Sequence, residues 1–242
     1  MRERRFLVPQ LLSESEPEIR GPEAHHLRDV LRLKPGDEIV LFDGQGHSYR
    51  ARLTRVDRRS ARAERLESLP ALESPLELTL AVAVPKGDGF ERIVQKVTEL
   101  GASEIIPLVS ARTTAASRRS FVGKLSRWQR VAAEACKQCG RSAISKVVEP
   151  VVFDRLLRLD RGFGARLLLH PGGGPLPAGS APRSCLIAVG PEGGWSGSEV
   201  EAAEAAGFQS WGLGPRILRS ETAAIAAAAL LQSAWGDAGP VR

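Results

Sequence analysis

The pattern of hydrophobic and polar positions changes near residue 75. Upstream, apolar residues come in short runs broken by arginine and glycine. "EIVLFDGQGHSYRARL", residues 38–53, reads as two β runs around a glycine-rich turn at Asp43–Gly46, which is a hairpin pattern. Before it, "GPEAHHLRDVLRL" carries Ala24, Leu27, Val30 and Leu31 at helical spacing and stops at "KPGD". The Pro- and Ser-containing "ESLPALESP", residues 67–75, has linker composition. Beyond it, "LELTLAVAVP", "SEIIPLVS", "ARLLLHP", "SCLIAVG" and "FQSWGLG" read as strands. Helices alternate with them: "GFERIVQKVTELG", a long basic region, "SGSEVEAAEAAG" and the alanine-rich "SETAAIAAAALLQSA". Strands that are apolar throughout and alternate with helices predict a parallel sheet covered on both faces. Residues 1–70 are therefore expected to form a small β domain, and residues 76–242 an α/β domain.

Composition narrows the class. At 242 residues the chain can bury a core without disulfides, and 43% apolar against 26% charged residues suits a globular protein. No apolar run approaches 18 residues and "MRERRFLVPQ" lacks a signal-peptide core, so no membrane association and a cytoplasmic location are expected. Cys136, Cys139 and Cys185 read as reduced packing residues; "CKQC" finds no second half-site for a metal. The net charge is +6, and it is unevenly placed. Between Arg112 and Lys146 nine Lys/Arg face a single acid, Glu134, a density that attracts a polyanion such as RNA or else marks a solvated helix face.

Three glycine-rich turns follow the last three predicted strands: "HPGGGP" at His170, "GPEGGW" at Gly190 and "GLGPRILRSE" at Gly212. Ligands of open α/β sheets bind at that edge, where glycine lets the backbone approach them. Each turn also has a plain reading: a connector, a loop leading to the capping box Ser196–Glu199, and a cap at Ser220 with a first-turn acid at Glu221. Neither a dinucleotide nor a P-loop signature is present.

"LIAVGPEGGWSGSEVEAAEAAGF" followed by "LGPRILRSETAAIAA" resembles the two signature segments of the SPOUT class of trefoil-knot methyltransferases, and more narrowly the bacterial RsmE family of small-subunit ribosomal RNA uridine N3-methyltransferases. The similarity continues through "KGDGFERIVQKVTELGASEIIPLVSART", "RWQRVAAEACKQCGR" and "HHLRDVLRLKPGDEIVLFDGQG", so it covers nearly the whole chain. Gly89 departs from the family pattern, where relatives often carry a basic residue; Ser145 stands in place of an expected proline.

The resemblance implies an α/β protein: a C-terminal SPOUT trefoil-knot domain after an N-terminal PUA-like β-barrel domain, working as a homodimer on ribosomal RNA or the assembled small subunit. It implies S-adenosylmethionine as cofactor. The cofactor would be held by Leu169 and His170, by Gly190, Pro191, Glu192, Gly193 and Gly194, by Leu213, Gly214, Ile217 and Leu218, and by Thr222 and Ala223. Because a uridine N3 is protonated at neutral pH, a guanidinium beside the base would favour its nucleophilic anion. Arg219 is the first candidate, Arg112 the second, and Glu221 a weaker candidate as proton acceptor. RNA contacts are expected from Arg2, Arg4, Arg5, Arg28, Arg50 and Arg52, and from Arg118, Arg119, Lys124, Arg127 and Arg141. The competing readings are a non-catalytic RNA-binding or ribosome-assembly module, a SPOUT enzyme acting on another RNA, and a small-molecule α/β enzyme.

Overall fold

The computed structural model of the chain describes residues 3–12, 14–85, 87–113, 121, 123–159 and 161–239. It divides into two compact units, Met1–Glu73 with Ala133–Ile144, and Ser74–Ala132 with Ser145–Arg242.

The first unit is a five-stranded sheet with strand order β1-β3-β4-β5-β2. Its strands are β1 (Arg5–Leu7), β2 (Glu18–Arg20), β3 (Glu38–Phe42), β4 (Ser48–Val56) and β5 (Ser60–Ser68). β3, β4, β5 and β2 pair antiparallel and β1 joins β3 in parallel. The hairpin expected over residues 38–53 is β3–β4. Strand β5 was not visible in the pattern because its inward residues, Ala61 and Ala63, are too small to set a period of two against the arginines and glutamates between them. Helix α1 (Gly21–His25) runs into a π-helical turn at His26–Val30. Leu27 from that turn joins Phe6, Leu11, Ile19, Leu41 and Leu53 in the core.

The Asp43–Gly46 turn is organised by one carboxylate. The Asp43 side chain is 3% exposed and accepts the Gln45 and His47 backbone N–H groups, at 2.7 and 3.1 Å, and lies 2.7 Å from Nδ1 of His47. Burial pushes its pKa up, but the hydrogen bonds from Gln45 and His47 together outweigh that and hold it below the ordinary aspartate value. A depressed carboxylate pKa stabilises the fold above the unfolded-state value of about 4 and ceases to do so as pH falls through the folded-state value. Acid titration of the wild type should therefore destabilise the first unit below about pH 4 more than it does Asp43→Asn; equal acid profiles would show that Asp43 makes no such contribution.

The second unit contains β6 (Glu77–Ala83), α2 (Gly89–Glu99), β7 (Glu104–Val109), α3 (Leu125–Cys139, as far as Ala132), β8 (Lys146–Val147), β9 (Val151–Val152), α4 (Phe153–Leu157), β10 (Ala165–Gly174), β11 (Ser184–Val189), α5 (Gly197–Ala205), β12 (Gln209–Trp211) and α6 (Ser220–Trp235). The strands form one parallel sheet ordered β12-β10-β11-β6-β7-β8, with β9 also pairing β7. β6 is buried from Leu78 to Ala83, as its unbroken apolar run requires of a central strand. Helix α6 packs on α2, β6 and β11 through Ala223, Ala224, Ala227, Ala228, Leu231 and Gln232. Only this stripe is buried: Leu230 on the other side is 49% exposed.

"HPGGGP" is not a simple turn after a strand. β10 continues through Gly174 with a register shift between Leu169 and Gly174, and Gly174 pairs with Trp211. Here two backbones pass side by side. A Cβ on Gly173 would lie 2.5 Å from the Trp211 carbonyl carbon, and one on Gly212 would lie 2.6 Å from the Gly173 oxygen. Glycine at both positions is what lets the two segments cross.

Candidate active site

Three loops at the C-terminal edge of the sheet enclose a cleft within the second unit. Leu169, His170 and Pro171 form one wall, Val189 to Glu192 with Gly194 and Trp195 a second, and Leu213, Gly214 and Arg216 to Leu218 a third. Ser220 and Ala223, from the start of α6, complete it. Apolar side chains and glycine backbone dominate the lining; Glu192, His170, Arg216 and Ser220 bring polar groups. A cleft of this kind suits a flat, largely apolar ligand with a few polar edges.

Trp195 ties two of these walls together. Its indole N–H donates to the Leu169 carbonyl at 3.0 Å, its ring rests on Phe153 with centroids 5.0 Å apart, and a Cβ on Gly190 would come within 3.0 Å of it. The loop then enters α5 through a complete capping box, in which Ser196 Oγ accepts the Glu199 N–H and the Glu199 carboxylate accepts the Ser196 N–H. From the other side, Arg112 Nη1 donates to the Gly193 carbonyl.

These loops are those of a known family. Residues 72–232 match the model of the RNA methyltransferase domain, and residues 19–64 that of the RNA methyltransferase PUA domain. The chain is 36% identical over 95% of its length to ribosomal RNA small subunit methyltransferase E of Synechocystis sp., covering 77% of that protein. It is 33% identical to the Bacillus subtilis protein of the same name, covering 85% of each. The chain belongs to the ribosomal RNA small subunit methyltransferase E family. A solved family structure from Neisseria gonorrhoeae, bound to S-adenosyl methionine, superposes with a TM-score of 0.84 at 35% identity, covering 97% of this chain and 99% of that one. The fold is accordingly a PUA-like curled sheet followed by the parallel α/β methyltransferase domain of the family.

Of the residues expected around the cofactor, Leu169, His170, Gly190, Pro191, Glu192, Gly194, Leu213, Gly214, Ile217, Leu218 and Ala223 line the cleft. Gly193 turns its carbonyl to Arg112, and Thr222 is exposed on α6; neither lines the cleft. Pro171, Val189, Trp195, Arg216 and Ser220 also line the cleft and were not among the residues named individually for the cofactor. Trp195 stood in the quoted "GPEGGW", but an indole that bonds back to a preceding strand has no local signature.

Arg219 is exposed at the position before α6, and its guanidinium makes no hydrogen bond or ion pair among the described residues. Glu221 is half-buried in the first turn of α6, with its carboxylate against Gly89: a Cβ there would overlap Oε1 of Glu221 and lie 2.9 Å from Cγ of Pro85. A glycine at residue 89 thus opens the seat that Glu221 occupies. Ser145, the other departure from the family pattern, is buried and donates its hydroxyl to the Ala102 carbonyl at 2.6 Å.

The basic residues divide by environment. Arg5 and Arg141, expected on an RNA-facing surface, are engaged inside the first unit. Arg5 bonds the Arg141 carbonyl and the Ser142 hydroxyl, each at 3.1 Å, while Arg141 is 6% exposed and pairs with Glu73 at 2.7 Å. Arg50 pairs with Glu67 at 2.7 Å, Arg52 with Glu38 at 3.3 Å, Arg28 with Asp29 and Arg127 with Glu91. Arg4 is exposed and Lys124 half-buried; Arg2, Arg118 and Arg119 lie outside the described residues.

Replacing Trp195 by phenylalanine keeps the ring contact with Phe153 and removes the donor to Leu169. Cofactor affinity should fall about five- to tenfold, the cost of one lost hydrogen bond in the cleft wall, when followed by isothermal titration.

Proposed function

We propose that this chain transfers the methyl group of S-adenosylmethionine to N3 of a uridine in small-subunit ribosomal RNA. The observation that carries the reading is the cleft itself: three glycine-rich loops at the sheet edge, in a chain 35% identical over nearly its full length to a family structure bound to that cofactor.

The cleft fits the cofactor in chemistry. Leu169, Val189, Leu213, Leu218 and Ala223 offer an apolar bed for an adenosine, and Glu192 brings a carboxylate complementary to a cationic sulfonium or ammonium. When bound, the sulfonium supplies an electrophilic methyl group. The remaining work falls to residues of the chain: to orient the acceptor base and to favour its anion. At neutral pH the anion of a uridine N3–H lies about two pK units, or about 2.7 kcal/mol, above the neutral base. The exposed guanidinium of Arg219, without a hydrogen bond or ion pair among the described residues, can lower that gap, with Arg112 beside the Gly190–Gly194 loop as its helper. Glu221, in the first turn of α6, is the weaker candidate as proton acceptor.

Arg4, Lys124 and the solvent-facing Arg127 would meet RNA phosphates, which fix register without reading sequence. The exposed side of α6 around Leu230 supports a second copy of the chain as partner; sedimentation of the dilute protein reads that state. The deciding experiment is transfer from labelled S-adenosylmethionine to small ribosomal subunits lacking the modification, followed by nucleoside analysis. Label recovered as N3-methyluridine supports the reading; folded protein that leaves no label in the RNA overturns it.

A further inference from the structure

We propose that Glu199 is a positioning residue for this reaction: it fastens the turn that carries Arg112 to the exit of the Gly190–Gly194 loop. The proposal rests on the methyltransferase reading above.

The Glu199 side chain belongs to a residue 7% exposed, and both its oxygens are engaged. Oε2 accepts the Ser196 N–H at 2.9 Å and the Ser196 hydroxyl at 3.0 Å, which is the capping box. Oε1 accepts the Ala111 N–H at 2.8 Å, from 88 positions away. A capping box requires only the first of these. The second joins the end of β7 to the entry of α5, and it falls beside the residue that matters: Ala111 directly precedes Arg112, and Arg112 Nη1 donates to the Gly193 carbonyl. One carboxylate thus fastens Ala111, the residue before Arg112, to Ser196, three positions after Gly193.

The turn is also braced at its base. The Ser110 N–H donates to Oγ1 of Thr113 at 2.8 Å and the Thr113 N–H to the Ser110 carbonyl at 3.1 Å. Residues 110–113 therefore form a rigid unit, and the bond to Glu199 sets where that unit points. A carboxylate is needed because both oxygens accept; a glutamine would offer one acceptor and turn an amide N–H₂ toward a backbone donor.

The test is Glu199→Gln in the full chain. Turnover should fall on the order of 10- to 100-fold, the scale set by a displaced catalytic group. The KM for S-adenosylmethionine should stay near that of the wild type, and the Ala111 amide should exchange faster with solvent. In an Arg112→Ala background the same substitution should cost less than about twofold, because nothing is left to position. An undiminished loss in that background overturns the proposal, as does near-normal turnover of Glu199→Gln. Hydrogen exchange decides it without any activity: an unprotected Ala111 amide in the folded wild type would overturn it. Wild-type protein that methylated no RNA would instead sink the functional reading, while the amide protection would still report on the clamp.

Discussion

Replacing Arg219 by alanine should lower methyl-transfer turnover by about 10²- to 10³-fold, as removal of one group that stabilises a developing anion does elsewhere. The fold should be unaffected, since the side chain is exposed and makes no hydrogen bond or ion pair among the described residues. Cofactor affinity should also hold, because Arg219 is not among the cleft-lining residues, although its neighbours Leu218 and Ser220 are. The pH profile adds a readout: if the guanidinium favours the uridine anion, the variant should recover turnover as pH rises toward the intrinsic pKa of the base. Single-turnover transfer from pH 6 to 10, with cofactor binding measured by titration, checks both halves. Near-normal turnover at neutral pH would transfer the role to Arg112.

Replacing Gly173 by alanine should have an effect of a different kind. The added methyl group would sit 2.5 Å from the Trp211 carbonyl carbon, 2.6 Å from its nitrogen and 2.8 Å from the Gly212 nitrogen, all backbone atoms that no rotamer change can move. Either the β10 and β12 segments separate or the domain does not close. Destabilisation of about 3 kcal/mol is expected, at the upper end for overpacking, together with loss of cofactor binding because Leu213 and Gly214 follow directly. Chemical denaturation and titration with S-adenosylmethionine measure the two losses. Gly174 provides the contrast: a Cβ there meets nothing among the described residues within 4 Å, so Gly174→Ala should be tolerated.

Much of this architecture was legible along the chain. Local periodicity reports which side of an element is buried, so β6, β7, β11, α2, α5 and α6 could be read from apolar runs and helical spacing. The capping box at Ser196 and Glu199 was visible too, because a cap is a contact between residues three apart. The weak elements escaped for the same reason: β5 turns alanines inward, and β8 and β9 have two residues each.

By itself the sequence determined a parallel α/β domain behind a β-rich one, glycine-rich loops at one sheet edge, and a basic stretch between Arg112 and Lys146. Tertiary structure alone decided what those parts meet. It brought the Trp195 indole to the Leu169 carbonyl, Arg112 to Gly193, Glu199 to Ala111 and Glu221 to the bare backbone of Gly89. It also gave Arg5 and Arg141 partners within the first unit, the Ser142 hydroxyl and the Glu73 carboxylate. The reason is physical: hydrophobic period fixes the burial of one element at a time, whereas contacts between distant residues depend on strand register and on how closely two backbones can pass.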